Sequence, residues 1–196
     1  MRQEAIIQQL NEQTKTFFSD VAVYDAVTST NNIALLKAKE NSNKNYVVIA
    51  DSQSAGRGRH GRTWTSPAGK NIYLSLSWHF AKPMNALTEL SVTVGKCIAN
   101  ALKNDGISQA ITIKLPNDLM HDNKKFGGIL IETIPVNGTE CIAVIGIGIN
   151  VNIGEKDTAL IDQPWTSLLQ ITKEEQDRNR LIAILLNALC AMLCAQ

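Results

Sequence analysis

A chain of 196 residues with 44% hydrophobic and 19% charged residues can bury the core of one domain, and is neither a disordered tail nor a collagen-like repeat. Nineteen basic against 18 acidic residues leave a formal net charge of +1, so no global field grips a polyanion and any phosphate chemistry must be local. The four cysteines, Cys97, Cys141, Cys190 and Cys194, form no CxxC pair, which argues for buried thiols in a reducing compartment.

The polar start MRQEAIIQQLNEQTK carries no secretory signal, which makes the cytoplasm the expected setting. Residues 3–13 read as a short polar helix, and residues 1–20 as an extension to a domain over 21–196. Residues 21–24 form a β-branched strand, Ser29 or Thr30 caps a helix over 31–40, and 46–50 read as a buried strand. The stretch 52–70, SQSAGRGRHGRTWTSPAGK, has four glycines, one proline and no apolar period, so it is a long loop. Residues 71–78 alternate with the two-residue period of a strand that has two different faces, and a helix follows over 86–103. Strands are expected at 111–114, 125–134 and 140–151, the last two joined by the turn Pro135-Val136-Asn137-Gly138. Beyond Val151 the pattern fades until a helical run over 173–195. These elements predict an α+β fold, a mixed sheet with helices against one face.

The run Gly56-Arg57-Gly58-Arg59-His60-Gly61-Arg62 spells GxGxxG, but Thr63 to Gly69, with Pro67, cannot continue as the helix that a dinucleotide fold requires. Glycines let the backbone fold tightly and each guanidinium is a rigid fork of donors, so the loop reads either as an anion clamp that orders on its ligand or as a solvated basic loop that contacts nucleic acid. Trp64 is either a platform for a purine or a core anchor.

Lys114-Leu115-Pro116-Asn117-Asp118 ends a strand at a proline, where ligands meet sheets. Following Ile111 and Ile113, Lys114 is expected on their side, facing a pocket with compensating negative charge; the alternative is a lysine reaching for water, with Asn117 and Asp118 as turn formers. Gly146 and Gly148 interrupt an apolar strand and mark a close approach of ligand or backbone, while Gly127-Gly128 have the same reading or form a bulge. The two glycine sites are placed to face each other across adjacent strands, leaving a slot for a flat ligand. Ser29-Thr30-Asn31 are short polar side chains at a helix start, and Gln53 stands at the mouth of the arginine loop.

In this order, Ser29-Thr30-Asn31, the run from Gln53 to Trp64, Lys114 to Asp118, Lys125-Phe126-Gly127-Gly128-Ile129-Leu130-Ile131-Glu132 and Gly146-Ile147-Gly148-Ile149-Asn150 resemble the catalytic domain of biotin protein ligases, over residues 21–190. The resemblance implies the biotin/lipoate ligase fold, related to class II aminoacyl-tRNA synthetases. It also implies a two-step ligase that converts biotin and ATP to biotinyl-5'-adenylate and passes biotin to a lysine of a biotin carboxyl carrier protein. Biotin would be bound by Ser29, Thr30, Asn31, Gln53, Gly56, Arg57, Gly58, Arg59, Lys114, Gly127 and Gly128. ATP and the adenylate would meet Arg62, Trp64, Lys114, Asn117, Gly148 and Asn150, with Lys114, Arg57 and Arg59 as the catalytic cations. Mg²⁺ is expected with ATP, and no carboxylate cluster supplies a dedicated metal site.

Where relatives usually carry Trp and Arg, this chain has Leu115 and His60. A helix-turn-helix is not expected within the first 20 residues, so neither DNA binding nor repression is expected, and the small terminal β-barrel common among relatives is expected to be absent. The apolar run over 181–195 is too short for a bilayer, for which a helix needs about 20 residues. It is expected to need cover on two sides, from the sheet and from a second subunit or a further domain. A lipoate or octanoyl transferase of the same fold and a non-catalytic biotin sensor are the competing functions.

Overall fold

The two-faced strand β3 (Ile72–Phe80) is the axis of the architecture. In the computed structural model, which describes residues 1–18, 20–107, 109–154, 161 and 163–195, Leu74, Leu76 and Trp78 of β3 join the main core, while Ser75 and Ser77 on its other face are buried polar residues. Its neighbours are β1 (Asp20–Val27), β2 (Tyr46–Gln53), β4 (Thr112–Lys114), β5 (Asp118–His121), β6 (Lys124–Pro135) and β7 (Cys141–Ile149). Together they make one seven-stranded mixed sheet in the order β1-β2-β3-β7-β6-β5-β4. β1 and β2 are parallel, and the other pairs are antiparallel.

Strand β5 escaped the sequence reading because it is four residues long. Its signal was the two-residue turn Asp122-Asn123, both with positive φ (44° and 60°), which matches the twist of a tight hairpin into β6. The unpatterned stretch after Val151 lies partly outside the described residues; within it, α5 (Leu168–Thr172) was also missed.

One face of the sheet carries most of the helices, as expected: α1 (Gln3–Ile7), α2 (Glu12–Phe17), α4 (Leu90–Asn104) and α6 (Arg178–Cys194) close the main core. α3 (Thr30–Glu40) is placed differently. It packs on the opposite face, where Ala34 meets Val48 and Val144.

Two expectations about the helices need correction. The single polar helix over 3–13 is two helices: the first ends at Ile7, and Asn11 caps the second, its Oδ1 accepting from Thr14 N at 2.8 Å. The apolar helix α6 also finds cover within the chain, since this same pair packs on it. The polar Asn187 in α6 meets the backbone between them, accepting from Asn11 N (3.0 Å) and donating to Gln9 O (3.1 Å). Among the described residues no helix is long and apolar enough to cross a membrane.

Candidate functional site

The face that α3 shares carries the site, because α3 covers it only in part. Ser29 holds the N-cap position of α3 with extended backbone but makes no capping hydrogen bond. The Thr30 N–H donates instead to Gln53 Oε1 (2.9 Å), which also accepts from Thr30 Oγ1 (3.1 Å). Gln53 stands at the end of β2 and passes the contact on, its Nε2 donating to Ser66 Oγ (3.0 Å) and Ser66 Oγ to Trp64 O (2.8 Å). Beneath lies Ser75 of β3, fully buried, with its Oγ 2.8 Å from Thr30 Oγ1 and 2.5 Å from Asn31 Oδ1. Ser75 was not singled out in the sequence, although its place on the polar face of a two-faced strand is the signal that marks it.

Asn31 explains Gly146. A Cβ on Gly146 would collide with the Asn31 amide, so the glycine is required by the helix start rather than by a flat ligand. The Asn31 Nδ2 donates to Glu132 Oε2 (2.9 Å) and reaches Leu130 O (3.4 Å).

The arginine loop forms a strap closed on itself. Arg57 and Thr63 bridge in antiparallel fashion, Gly58 N donates to Arg62 O (2.7 Å) and Trp64 N to Gly56 O (2.9 Å). His60 and Gly61 turn the tip through positive φ (56° and 73°), the left-handed region that glycine enters freely. Gly56 has no room for a side chain, since a Cβ would stand 2.5 Å from Trp64 O. Arg57 is not free: its two terminal nitrogens donate to Glu132 Oε1 (3.0 Å) and Oε2 (2.5 Å). Arg59 reaches Asn117 Oδ1 at 3.5 Å, and Asn117 Nδ2 in turn donates to Ile129 O (3.0 Å). Burial pushes the Tyr73 phenol well above its ordinary value, and its hydroxyl donates to Pro67 O (3.0 Å), holding the far end of the strap.

The indole of Trp64 occupies the glycine slot. Gly128 and Gly148 are directly paired across β6 and β7, and a Cβ on either would meet the ring, at 3.3 Å and 2.6 Å respectively. The Trp64 indole N–H is buried without a hydrogen-bond partner among the described residues. Lys125 Nζ stands 5.3 Å from the ring centroid and 2.8 Å from Asp118 Oδ1. That places an ammonium, an indole and a carboxylate at one end of the site. Lys125 belongs to the run that carries the family resemblance but is not among the expected site residues; its position three residues before Gly128 is the available signal.

Three expected site residues sit differently from the reading. Gly127 turns toward the core, where a Cβ would lie 2.8 Å from Leu119 Cδ1, because adjacent residues of a strand face opposite ways. For the same reason Lys114 does not share a side with Ile113: Ile113 packs beside Gly95 of α4, and Lys114 is exposed on the opposite, site-bearing face. Among the described residues Lys114 makes no ion pair, and Asp118, the nearby carboxylate, is engaged by Lys125. Asn150 is a buried joint at the end of β7, its Nδ2 donating to Thr166 O (3.1 Å) and its Oδ1 accepting from Asn71 (3.4 Å). It lines a small second cavity beside Trp64.

Gly56 packs behind the strap and does not line the cavity; the other candidates converge on one cavity of about 330 Å³, lined by Ser29, Thr30, Asn31, Gln53, Arg57, Gly58, Arg59, Arg62, Trp64, Lys114, Asn117, Gly128 and Gly148, with Lys125 and Asp118. One end is neutral and hydrogen-bonding. The other is cationic and aromatic, the arrangement that an anionic ligand with a polar head and a flat ring would fill. The carboxylates nearby, Asp118 and Glu132, are paired with Lys125 and Arg57, and among the described residues no three metal-ligating side chains gather.

Residues 23–150 match the Biotin/lipoate A/B protein ligase family. The chain is 37% identical over 173 residues to the bifunctional ligase/repressor BirA of Escherichia coli, an alignment that covers 88% of this chain and 53% of BirA. Its structure is similar to that of biotin protein ligase from Leishmania major in complex with biotinyl-5-AMP, with a TM-score of 0.70, 27% identity and coverage of 88% of this chain and 75% of that one. It is also similar to biotin protein ligase from Aquifex aeolicus in complex with biotin and ATP, with a TM-score of 0.70, 30% identity and coverage of 90% and 71%. The chain spans about half the length of the first curated relatives it matches.

Proposed function

The chain belongs to the biotin/lipoate A/B protein ligase family, and we propose on that footing that it activates biotin with ATP and transfers the biotinyl group to a lysine of a biotin carboxyl carrier protein. The observation that carries the reading is the two-ended cavity: Thr30, Gln53 and the residues around them at one end, Lys125 and Trp64 at the other, with the arginine strap along it.

In the first step the biotin carboxylate attacks the α-phosphorus of ATP, and pyrophosphate leaves. Two anions must approach and charge grows on the phosphoryl oxygens, so fixed cations stabilise the transition state more than the ground state. Lys125 is best placed for this, since Asp118 holds its ammonium against the indole. Lys114, Arg59 and Arg62 line the same cavity without ion pairs among the described residues and supply the rest of the positive field. The Thr30–Gln53 end takes the ureido edge of biotin, whose donors and acceptor match hydroxyl and amide groups. Trp64 receives the adenine, on the ring face opposite the two glycines or by exchange of its position above them. Mg²⁺ enters as part of the nucleotide substrate. In the second step the amine of the carrier lysine attacks the acyl carbon, AMP departs, and the amine loses its proton. Closure of the strap keeps water from the mixed anhydride.

The reading is tested by pyrophosphate release with ATP and each of biotin, lipoate and octanoate. Biotin alone is expected to drive release; release driven by lipoate or octanoate instead assigns the protein to a different acyl group. Biotin binding without release makes it a sensor.

A further inference from the structure

Beneath the neutral end of the cavity, three oxygen–oxygen contacts share two hydrogens. Ser75 Oγ stands 2.5 Å from Asn31 Oδ1 and 2.8 Å from Thr30 Oγ1, and Thr30 Oγ1 stands 3.1 Å from Gln53 Oε1. The Asn31 amide decides how they are used. Its Nδ2 has two acceptors, Glu132 Oε2 (2.9 Å) and Leu130 O (3.4 Å), so Oδ1 is the atom turned to Ser75. An amide oxygen only accepts, which commits the Ser75 hydrogen to Asn31 across the shortest contact, and Ser75 then meets Thr30 only as an acceptor. The single Thr30 hydrogen is left between Ser75 Oγ and Gln53 Oε1, and whichever takes it, the hydrogen stays within the protein. Ser75 is fully buried and Thr30 and Asn31 are each 4% exposed, so little water competes for these contacts.

We propose that Ser75 is a positioning residue that sets specificity: by drawing the Thr30 hydrogen away from the cavity it leaves Thr30 Oγ1 as an acceptor there, so the site takes a ring N–H at this place and refuses a ring oxygen. A lone hydroxyl at a cavity wall turns to suit either partner, whereas one whose hydrogen is already committed offers only lone pairs. Thr30 lines the cavity and Ser75 does not, so Ser75 acts through Thr30. Gln53 Oε1, 3.1 Å away, is a second acceptor beside the first, and an N–H between them serves both. The inference rests on the proposed function for biotin as the occupant, whose ureido ring carries two such N–H groups; the direction of the Thr30 hydrogen is a property of the free protein.

The full chain is compared with Ser75→Ala and Ser75→Cys, each also in a Thr30→Val background, by calorimetric binding of biotin and of the two cyclic carbamates in which one or the other ring N–H of biotin is replaced by oxygen. The parent is expected to prefer biotin to the weaker-binding carbamate by about 100-fold or more, since that ring oxygen faces a lone pair. Ser75→Ala should narrow the preference about tenfold, because the Thr30 hydrogen is then free to turn to the ring oxygen. Ser75→Cys keeps a weak donor for Asn31, costs the fold less and should fall between. With Thr30→Val in place, replacing Ser75 should change the preference by less than about twofold, because a residue that acts through a partner has nothing further to lose. A serine that only supported the fold would weaken biotin and carbamate alike. Without ligand, in mixed H₂O and D₂O, slow exchange of a hydroxyl hydrogen splits the signal of the carbon that bears it; the Thr30 Cβ signal is expected to be split in the parent and merged in Ser75→Ala. A preference unchanged in both Ser75 variants, an equal change in both backgrounds, or a merged Thr30 signal in the parent overturns the proposal. A parent chain that binds no biotin removes the functional reading, while the Thr30 signal still decides whether Ser75 holds the hydrogen.

Discussion

The indole of Trp64 lies where residue 148 would place a side chain: a Cβ there would stand 2.6 Å from Cε2 and 2.7 Å from Nε1. Gly148 is therefore the seat of the tryptophan, and the aromatic platform exists only because β7 lacks a methyl group at this point. Gly148→Ala is expected to lift Trp64 off the sheet and raise the KM for ATP about tenfold, the order of one lost stacking contact, with the KM for biotin changed far less. A larger effect on biotin than on ATP would place the indole at the wrong end of the cavity.

The two lysines of the site differ in how firmly they are held. Lys125 is bound to Asp118 and rests against Trp64, whereas Lys114 projects from the sheet without an ion pair among the described residues. A preorganised charge stabilises a transition state more than one that must be ordered first. Lys125→Ala should lower kcat for activation about 100-fold or more, and Lys114→Ala about tenfold. Single-turnover formation of the adenylate measures both, and the reverse ranking would return the central role to Lys114.

An apolar substitution at Asn187 should destabilise the protein even though its helix is otherwise apolar. Its side chain satisfies Asn11 N and Gln9 O, which Leu cannot do. Asn187→Leu is expected to cost about 1 kcal/mol through the hydrogen bonds lost to the two exposed backbone groups, read as a lower midpoint in urea unfolding. Equal or greater stability would mean that water replaces the amide at no cost.

Burial pushes the Cys97 and Cys190 thiols up to about 11 from an ordinary value of 9.0, and raises Cys141 as well. The fold holds the neutral thiol, so this contribution to stability is complete below about pH 9, where the unfolded thiols are also protonated. It is lost as pH rises through 11. The melting midpoint should fall across pH 9–11, and less steeply in Cys97→Ala. At pH 8 the exposed Cys194 should react with a thiol reagent before the half-buried Cys97 and well before the buried Cys141 and Cys190. Parallel slopes for the parent and Cys97→Ala would remove Cys97 from the alkaline loss.

Much of the framework is legible in the linear chain because it depends on local periods and backbone needs. The alternation around Ser75 marked a strand with two unlike faces, the glycines and arginines after Gln53 marked a folded strap, and Gly148 marked a close approach. Which face each residue serves is another matter. Lys125 meets Asp118 only through the pairing of β5 with β6, and Glu132 meets Arg57, 75 positions away, and Asn31, 101 away. Asn187 likewise found its partners at the opposite end of the chain. Local sequence sets torsions and apolar periods within a few residues, whereas these contacts arise from strand register and from what packs above the sheet, which no short window contains.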